Sequence, residues 1–470
     1  MSQEPSISEK TAHGGVMNSG EDPEKVIQGT LEDYEVFKQT ADGVDFRTVG
    51  WPRASVIFLK IIFATGVLSI PTAMYSLGAL GGALSVVGWT ALNTYTAMIQ
   101  GDFRNNHPGC HSIADMANVV GGVVTREICG ALFIIAYVLC TGSGIIGVST
   151  ALNALSHHAA CTVWWSFIAT IVVALTASVR KFHQIGFLTW AGFASIFVAV
   201  LIIVIAVTTR DRPAAAPQTG GYELGYYVIA YPTFAAGMVA SCTIFVSSAG
   251  TSAFLPVISE MKNPRDYRKA LFACMGIVMA AYLSFSLVVY RWCGQWVASP
   301  SLGSAGQTVK MIAYGIGLVG LIVSACLYLH VAAKYVFVRI LRDSVHLQSN
   351  SLIHWGTWLS CTFGLAAISF ILAEAIPIFS YILALTGSIC FAPIAICLPA
   401  WLWMYDRGHY RKGAVWQQLC YWFHAFLILL GLFLLVAGTY GVVVQIKDAY
   451  ADGQVVLGGA FSCADNSGSS

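Results

Sequence analysis

The chain has 470 residues, 57% of them hydrophobic and only 10% charged, with a formal net charge of +2. Soluble domains carry about 25% charged residues, so this composition, with a mean hydropathy of +0.70, excludes an ordinary soluble protein. It predicts an all-α polytopic membrane protein, and the near-neutral balance gives no case for nucleic acid as a partner.

The sequence holds no G-x-x-x-x-G-K-[S/T] loop, so nothing suggests a built-in ATP motor. Its thirteen cysteines are scattered through apolar runs with no C-x-x-C pair, which predicts buried thiols rather than a metal or redox centre. Cys161, Cys293 and Cys463 fall near the expected outer surface, where a disulfide among them is open. His157 and His158 form a pair without further metal ligands nearby.

Residues 1–50 are polar, carry both charge signs and lack an apolar run, so they read as a cytosolic tail without a signal peptide. Lys10, Lys25 and Lys38 in that tail are accessible acceptors for the ubiquitin machinery. A bilayer-spanning helix needs about 20 apolar residues. Eleven stretches meet this, near 52–74, 77–99, 128–153, 162–179, 185–208, 230–256, 270–292, 307–335, 353–373, 376–404 and 416–445. They define a transporter-sized unit over 51–445, followed by a polar extracellular tail, 446–470. Lysine and arginine concentrate in alternate loops, at Arg104, Arg126, Arg180, Lys181, Arg268, Lys269, Arg339, Arg342, Arg411 and Lys412. Placing those loops in the cytosol puts the N-terminus inside and the C-terminus outside. Trp51, Trp164, Trp292 and Trp401 sit near span ends, as interfacial anchors against membrane lipids do.

The first span contains KIIFATGVLSIP, Lys60 to Pro71. Gly66 and Pro71 weaken the helical ladder there, and unpaired backbone inside lipid survives only where it is buried in protein or lines a wet cavity. The sixth span repeats the pattern in FVSSAGTSAFLP, Phe245 to Pro256, with small residues around Gly250. Two breaks in corresponding spans predict a binding site between inverted repeats, spans 1–5 against spans 6–10 with an eleventh helix after them.

Gly66-Val67-Leu68-Ser69-Ile70-Pro71 resembles the G-[IV]-L-x-[LI]-P signature of the amino acid/auxin permeases. Pro256-Val-Ile-Ser-Glu260-Met261-Lys262-Asn263-Pro264 is similar to that family's segment after the sixth span, and His111-Ser-Ile-Ala-Asp115 to its short cytosolic motif after the second. The resemblance covers residues 45–445 and extends to the neutral amino acid permeases of fungi. It implies the five-plus-five inverted-repeat amino acid transporter fold, a plasma-membrane location, and import driven by a proton gradient with no cofactor.

The residues then suggest how a zwitterion is held. Thr65, Gly66, Val67, Leu68 and Ser69 open a half-helix whose N-terminal dipole attracts a carboxylate. Phe245, Ser247, Ser248, Gly250 and Thr251 end one whose free carbonyls attract an ammonium. Stretches Ile134–Cys140 and Tyr381–Gly387 are candidate walls for an apolar substrate side chain. No acidic residue lies in the middle of either broken span, which favours neutral substrates such as tryptophan, phenylalanine and leucine. Lys60 stands six residues before Gly66, where sodium-coupled relatives carry an asparagine, with Ser324 as its facing group. Its ammonium then carries the coupled proton, serves as a fixed cation, or snorkels to the interface. Glu260 with Arg265 or Lys262 reads as an ion pair at the inner gate, His330 and Lys334 as interfacial anchors or proton-transfer groups, and Glu374 as a solvated turn residue or part of an outer proton path. The competing readings are a vacuolar exporter or an amino acid sensor of the same fold, a channel, and a membrane enzyme. The last lacks mid-span aspartate and any catalytic cluster.

Overall fold

The computed structural model describes residues 48–63, 66–179, 182–342, 344–347, 349–376, 378–451 and 460–467. Thr65, the tail lysines Lys10, Lys25 and Lys38, and Arg180 and Lys181 lie outside the described residues. Among those described, nine helices are long and apolar enough to cross a membrane, and Thr162–Ala177 is a shorter apolar one.

In chain order the helices are α1 (Trp51–Ile62), α2 (Ile70–Asn106), α3 (Ile113–Ser156), α4 (Thr162–Ala177), α5 (Phe182–Thr208), α6 (Phe234–Ala249), α7 (Phe254–Ser259), α8 (Tyr267–Cys293), α9 (Gln307–Leu341) and α10 (Leu352–Ala375). Then come α11 (Phe379–Leu385), a π-helical stretch Thr386–Cys397, α12 (Leu398–Asp406), α13 (Val415–Phe433), a short π turn Leu434–Gly438 and α14 (Thr439–Ala451). Pro393 lies inside the π stretch. Its missing N–H removes a ladder bond, and a wider helical turn absorbs the loss.

Local chemistry sets the boundaries. Pro52 occupies the first turn of α1, where no intrahelical N–H bond is needed. Ser112 and Asp115 form a reciprocal cap at the start of α3. Gly78 takes φ +76° inside α2, so the helix kinks there and its first turns are set apart from the span that follows. A Cβ on Gly78 would lie 2.7 Å from the backbone nitrogen of Ala230, which leaves no room for another residue. The loop before α6 docks there: the Ala79 and Leu80 N–H groups donate to the carbonyls of Tyr227 and Val228 at 3.0 and 2.9 Å.

The central helix α9 packs along α3 and α5, while α2 packs against α6 and α8. At one end of the bundle a Cys161–Cys463 disulfide fastens the C-terminal segment over α3 and α4. Asn153 Nδ2 donates to Asn466 Oδ1 at 2.8 Å, and the Thr162 hydroxyl donates to the Ala464 carbonyl at 2.6 Å. Cys293 is instead a buried free thiol. Glu374 does not sit in a solvated turn: it is buried, and its carbonyl accepts the Phe461 N–H of the same tail at 3.2 Å. At the opposite end, Val49 forms a parallel bridge with Met261, joining the approach to α1 to the exit from α7.

Candidate functional site

The two helix breaks meet at the centre of the bundle. α1 leaves helical geometry at Phe63 (φ −79°, ψ 69°), Gly66–Leu68 form one tight 3-10 turn, and α2 restarts at Ile70 with Pro71 in its first turn. α6 ends at Ala249, and a 3-10 turn, Gly250–Ala253, leads into α7. Gly66 is the crossing point: a Cβ there would stand 2.9 Å from Ser247 Cα. The Ser247 hydroxyl lies 3.2 Å from the Gly66 carbonyl, and the Ser69 hydroxyl donates to that carbonyl at 2.8 Å.

Tyrosines from three other helices hold the freed carbonyls. Tyr282 of α8 lies 2.7 Å from the Ile62 carbonyl and 3.1 Å from that of Ser247, so one hydroxyl touches both breaks. Tyr328 of α9 donates to the Ile61 carbonyl at 3.1 Å. Tyr137 of α3 lies 3.0 Å from the Gly250 carbonyl and 3.2 Å from the Ser252 hydroxyl. Tyr137 falls within a stretch singled out from sequence, whereas Tyr282 and Tyr328 were missed. A tyrosine in mid-span, away from the interfacial belt, is the signal that could have found them.

Between the breaks lies a cavity of about 20 Å³, walled by Ile61, Ile62, Gly66, Tyr137, Cys140, Val246, Ser247, Gly250, Tyr328, Leu383 and Phe391. That volume has room for about one water, so this conformation is closed at its centre. Cys140 and Leu383 come from the two apolar stretches expected, and Phe391 from the π-helical stretch beside them. Several expected residues lie off the wall. Val67, Leu68 and Thr251 are buried nearby, and Phe245 packs edge-on against Trp89. Ser248 accepts from Asn93 Nδ2 of α2 at 2.8 Å, and the same amide donates to the Phe245 carbonyl at 3.3 Å. Asn93 was not anticipated.

Lys60 is fully buried on α1 and points at α9. Its Nζ donates to the Gly320 carbonyl at 3.0 Å and to Ser324 Oγ at 2.6 Å. The Ser324 hydroxyl donates its own hydrogen bond to the Gly320 carbonyl at 2.7 Å. A side chain with no exposure is not snorkelling to an interface.

The expected Glu260–Arg265 pair does not form. Arg265 is exposed in the turn after α7, while buried Glu260 pairs with Lys334 of α9. The cause is the Val49 bridge. The Val49 N–H donates to the Glu260 carbonyl at 3.0 Å, and the Lys262 N–H to the Val49 carbonyl at 2.9 Å. Glu260 caps the end of α7 in helical geometry (φ −94°, ψ −3°), and its side chain is buried against α9. Lys334 and His330 are accordingly not interfacial anchors: both are buried, and His330 Nδ1 donates to the Ala177 carbonyl at the end of α4, 3.2 Å away.

The chain has counterparts among known proteins. Residues 47–444 match the family described as transmembrane amino acid transporter protein. The chain belongs to that family. It is 52% identical over 437 residues to a transmembrane transporter of Gibberella moniliformis, covering 93% of this chain and 92% of the relative. It is 28% identical over 428 residues to an N amino acid transport system protein of Neurospora crassa, covering 89% of each. The solved structure of MhsT in complex with L-phenylalanine superimposes with a TM-score of 0.53 at 11% identity, covering 84% of this chain and 98% of that one. This transporter thus shares its fold with MhsT. The family makes it a multi-pass amino acid transporter and not an enzyme.

Proposed function

We propose that this transporter imports neutral aliphatic and aromatic L-amino acids, such as tryptophan, phenylalanine and leucine, across the plasma membrane by proton symport. The observation that carries the reading is the crossing of two broken helices at Gly66 and Ser247 around a closed, apolar-walled centre. When the centre opens, the positive end of the α2 half-helix takes the substrate carboxylate. The Ser247 and Gly250 carbonyls, held meanwhile by tyrosine hydroxyls, take the ammonium. Ile61, Ile62, Cys140, Leu383 and Phe391 offer an apolar surface and no carboxylate, which suits an uncharged side chain. MhsT was solved in complex with L-phenylalanine, which agrees in chemical class.

Coupling is assigned to Lys60. Its two contacts are neutral acceptors, which satisfy both N–H bonds of a neutral amine, so the site tolerates loss of the third proton. The carriers α1 and α9 stand for the first and eighth spans of the inverted-repeat plan, spans 1–5 against 6–10. Motion between them makes and breaks this contact, tying proton release to the working cycle. Glu260 and Lys334 latch the inner end. The orientation follows from the basic loops and gains support from the Cys161–Cys463 disulfide, because disulfides persist on the oxidising side of a membrane. The C-terminus then lies outside and the Glu260 end faces the cytosol. A proton gradient drives the cycle, with no cofactor.

The test is uptake of labelled tryptophan and leucine in transporter-null cells across a range of outside pH, with and without sodium. Uptake that rises on acidification, ignores sodium and collapses with a protonophore is the expected result. Uptake that follows sodium instead defeats the coupling assignment.

A further inference from the structure

A second cavity, of about 270 Å³, opens at the Glu260 end and stops at Ser252 and Pro256 of the sixth span. The Tyr137–Ser252 contact separates it from the closed centre. Its volume is more than ten times that of the central cavity.

The two walls differ in chemistry. Ile113, Ala114, Phe133, Pro256 and Val338 make one wall apolar. Arg126, Lys334, Arg339 and Arg342 line the other, together with Asp115. The charges on that wall are fixed in place. Arg342 donates to Asp115 Oδ1 at 2.6 Å, and Ser112 caps the same carboxylate from its backbone. Lys334 pairs with Glu260. Arg126 and Arg339 share Glu127. Four cations therefore face three carboxylates, and the surplus falls at the two arginines that divide one partner. Burial, and then the Lys334 charge, push His111 down to about 3, so this ring adds no charge at neutral pH.

We propose that this vestibule is a second amino-acid site. It takes a neutral amino acid by its carboxylate at Arg126 and Arg339 and by its apolar side chain at Phe133, Pro256 and Val338. The ammonium is left facing Asp115. A ligand seated there joins α7, which carries Pro256, to α3 and α9, which carry the other two apolar contacts. It thereby holds the inner half-helix shut, and amino acid accumulated in the cytosol slows further import. The inference rests on the transport reading and orientation given above.

The test uses the purified full chain, in detergent for binding and in proteoliposomes for transport. Equilibrium dialysis with labelled leucine is expected to find two molecules per chain in the wild type. One is expected in the Arg126→Gln/Arg339→Gln double variant, and one in Val338→Phe, which fills the apolar wall without touching a charge. Leucine preloaded on the Glu260 side is expected to slow wild-type uptake several-fold and to leave both variants within about two-fold of their rate into empty vesicles. One site in the wild type, or two sites with full inhibition in both variants, overturns the proposal while leaving the transport reading intact. A lack of leucine uptake into empty wild-type vesicles overturns the transport reading itself.

Discussion

Replacing Lys60 with methionine separates coupling from folding. A lysine at the centre of a membrane helix costs about 2.5–3.5 kcal/mol on insertion scales. Its two hydrogen bonds, from Nζ to the Gly320 carbonyl and Ser324 Oγ, recover about 1.5–3 kcal/mol each when the donor is charged. Together the bonds recover about 3–6 kcal/mol, which meets the insertion cost and leaves the lysine a net contribution of about 0–3 kcal/mol. Methionine keeps the length and most of the volume of the stem, which packs near the place where a Gly192 Cβ would sit, 3.1 Å from Lys60 Cε. It strands no donor, because the Ser324 hydroxyl keeps its bond to the Gly320 carbonyl. The fold should therefore lose no more than about 3 kcal/mol, and enough of the variant should reach the surface to assay. Transport should lose its rise on outside acidification. The assay is initial-rate uptake of labelled leucine against outside pH, normalised to surface protein and repeated with a protonophore. A methionine variant that still accelerates on acidification and still collapses with the protonophore would refute the coupling role of Lys60, whatever its absolute rate.

Gly66→Ala should abolish uptake and destabilise the protein by about 1–3 kcal/mol, since its Cβ would meet Ser247 backbone at 2.9 Å; a thermal melt in detergent beside the uptake assay measures both. Glu260→Gln leaves the Lys334 ammonium buried without its carboxylate and should cost about 3–5 kcal/mol. Adding Lys334→Met should recover most of that loss, and a double-mutant cycle that finds additive costs would deny the latch. His111 predicts an acid-side loss of stability. Its folded-state pKa, lowered to about 3 by burial and then by Lys334, lies below the ordinary 6.5, with Asp115 opposing and Arg104 and Arg342 reinforcing the shift. The unfolded chain therefore takes up a proton that the folded one refuses, and stability falls as pH drops from 6.5 towards 3, with no contribution above that window. His111→Asn should flatten this segment of a melting-temperature profile, and an unchanged slope would show that the ring does not titrate there.

The sequence exposes whatever the bilayer makes expensive. Gly66, Pro71, Gly250 and Pro256 are conspicuous because a broken ladder has no water to satisfy it, so both breaks are legible without a structure. Lys60 is conspicuous for the same reason: one charge among apolar neighbours demands acceptors. What the sequence cannot show is the rotation of one helix against another. Tyr282 and Tyr328 reach the break carbonyls from helices more than two hundred residues away from α1 in the chain. In hydropathy alone a mid-span tyrosine looks like any other apolar residue. Glu260 shows how that limit misleads. Pairing it with nearby Arg265 assumes that neighbours in sequence share a face, but the Val49 bridge fixes the exit of α7 and aims the carboxylate at Lys334 on α9. The same helix α9 also takes the Lys60 contact from α1. The approach to α1 is joined to the exit of α7, and Glu260 there is held by α9. Movement of α1 against α9 therefore strains the central lysine and the inner ion pair together, so the two contacts form one mechanical unit.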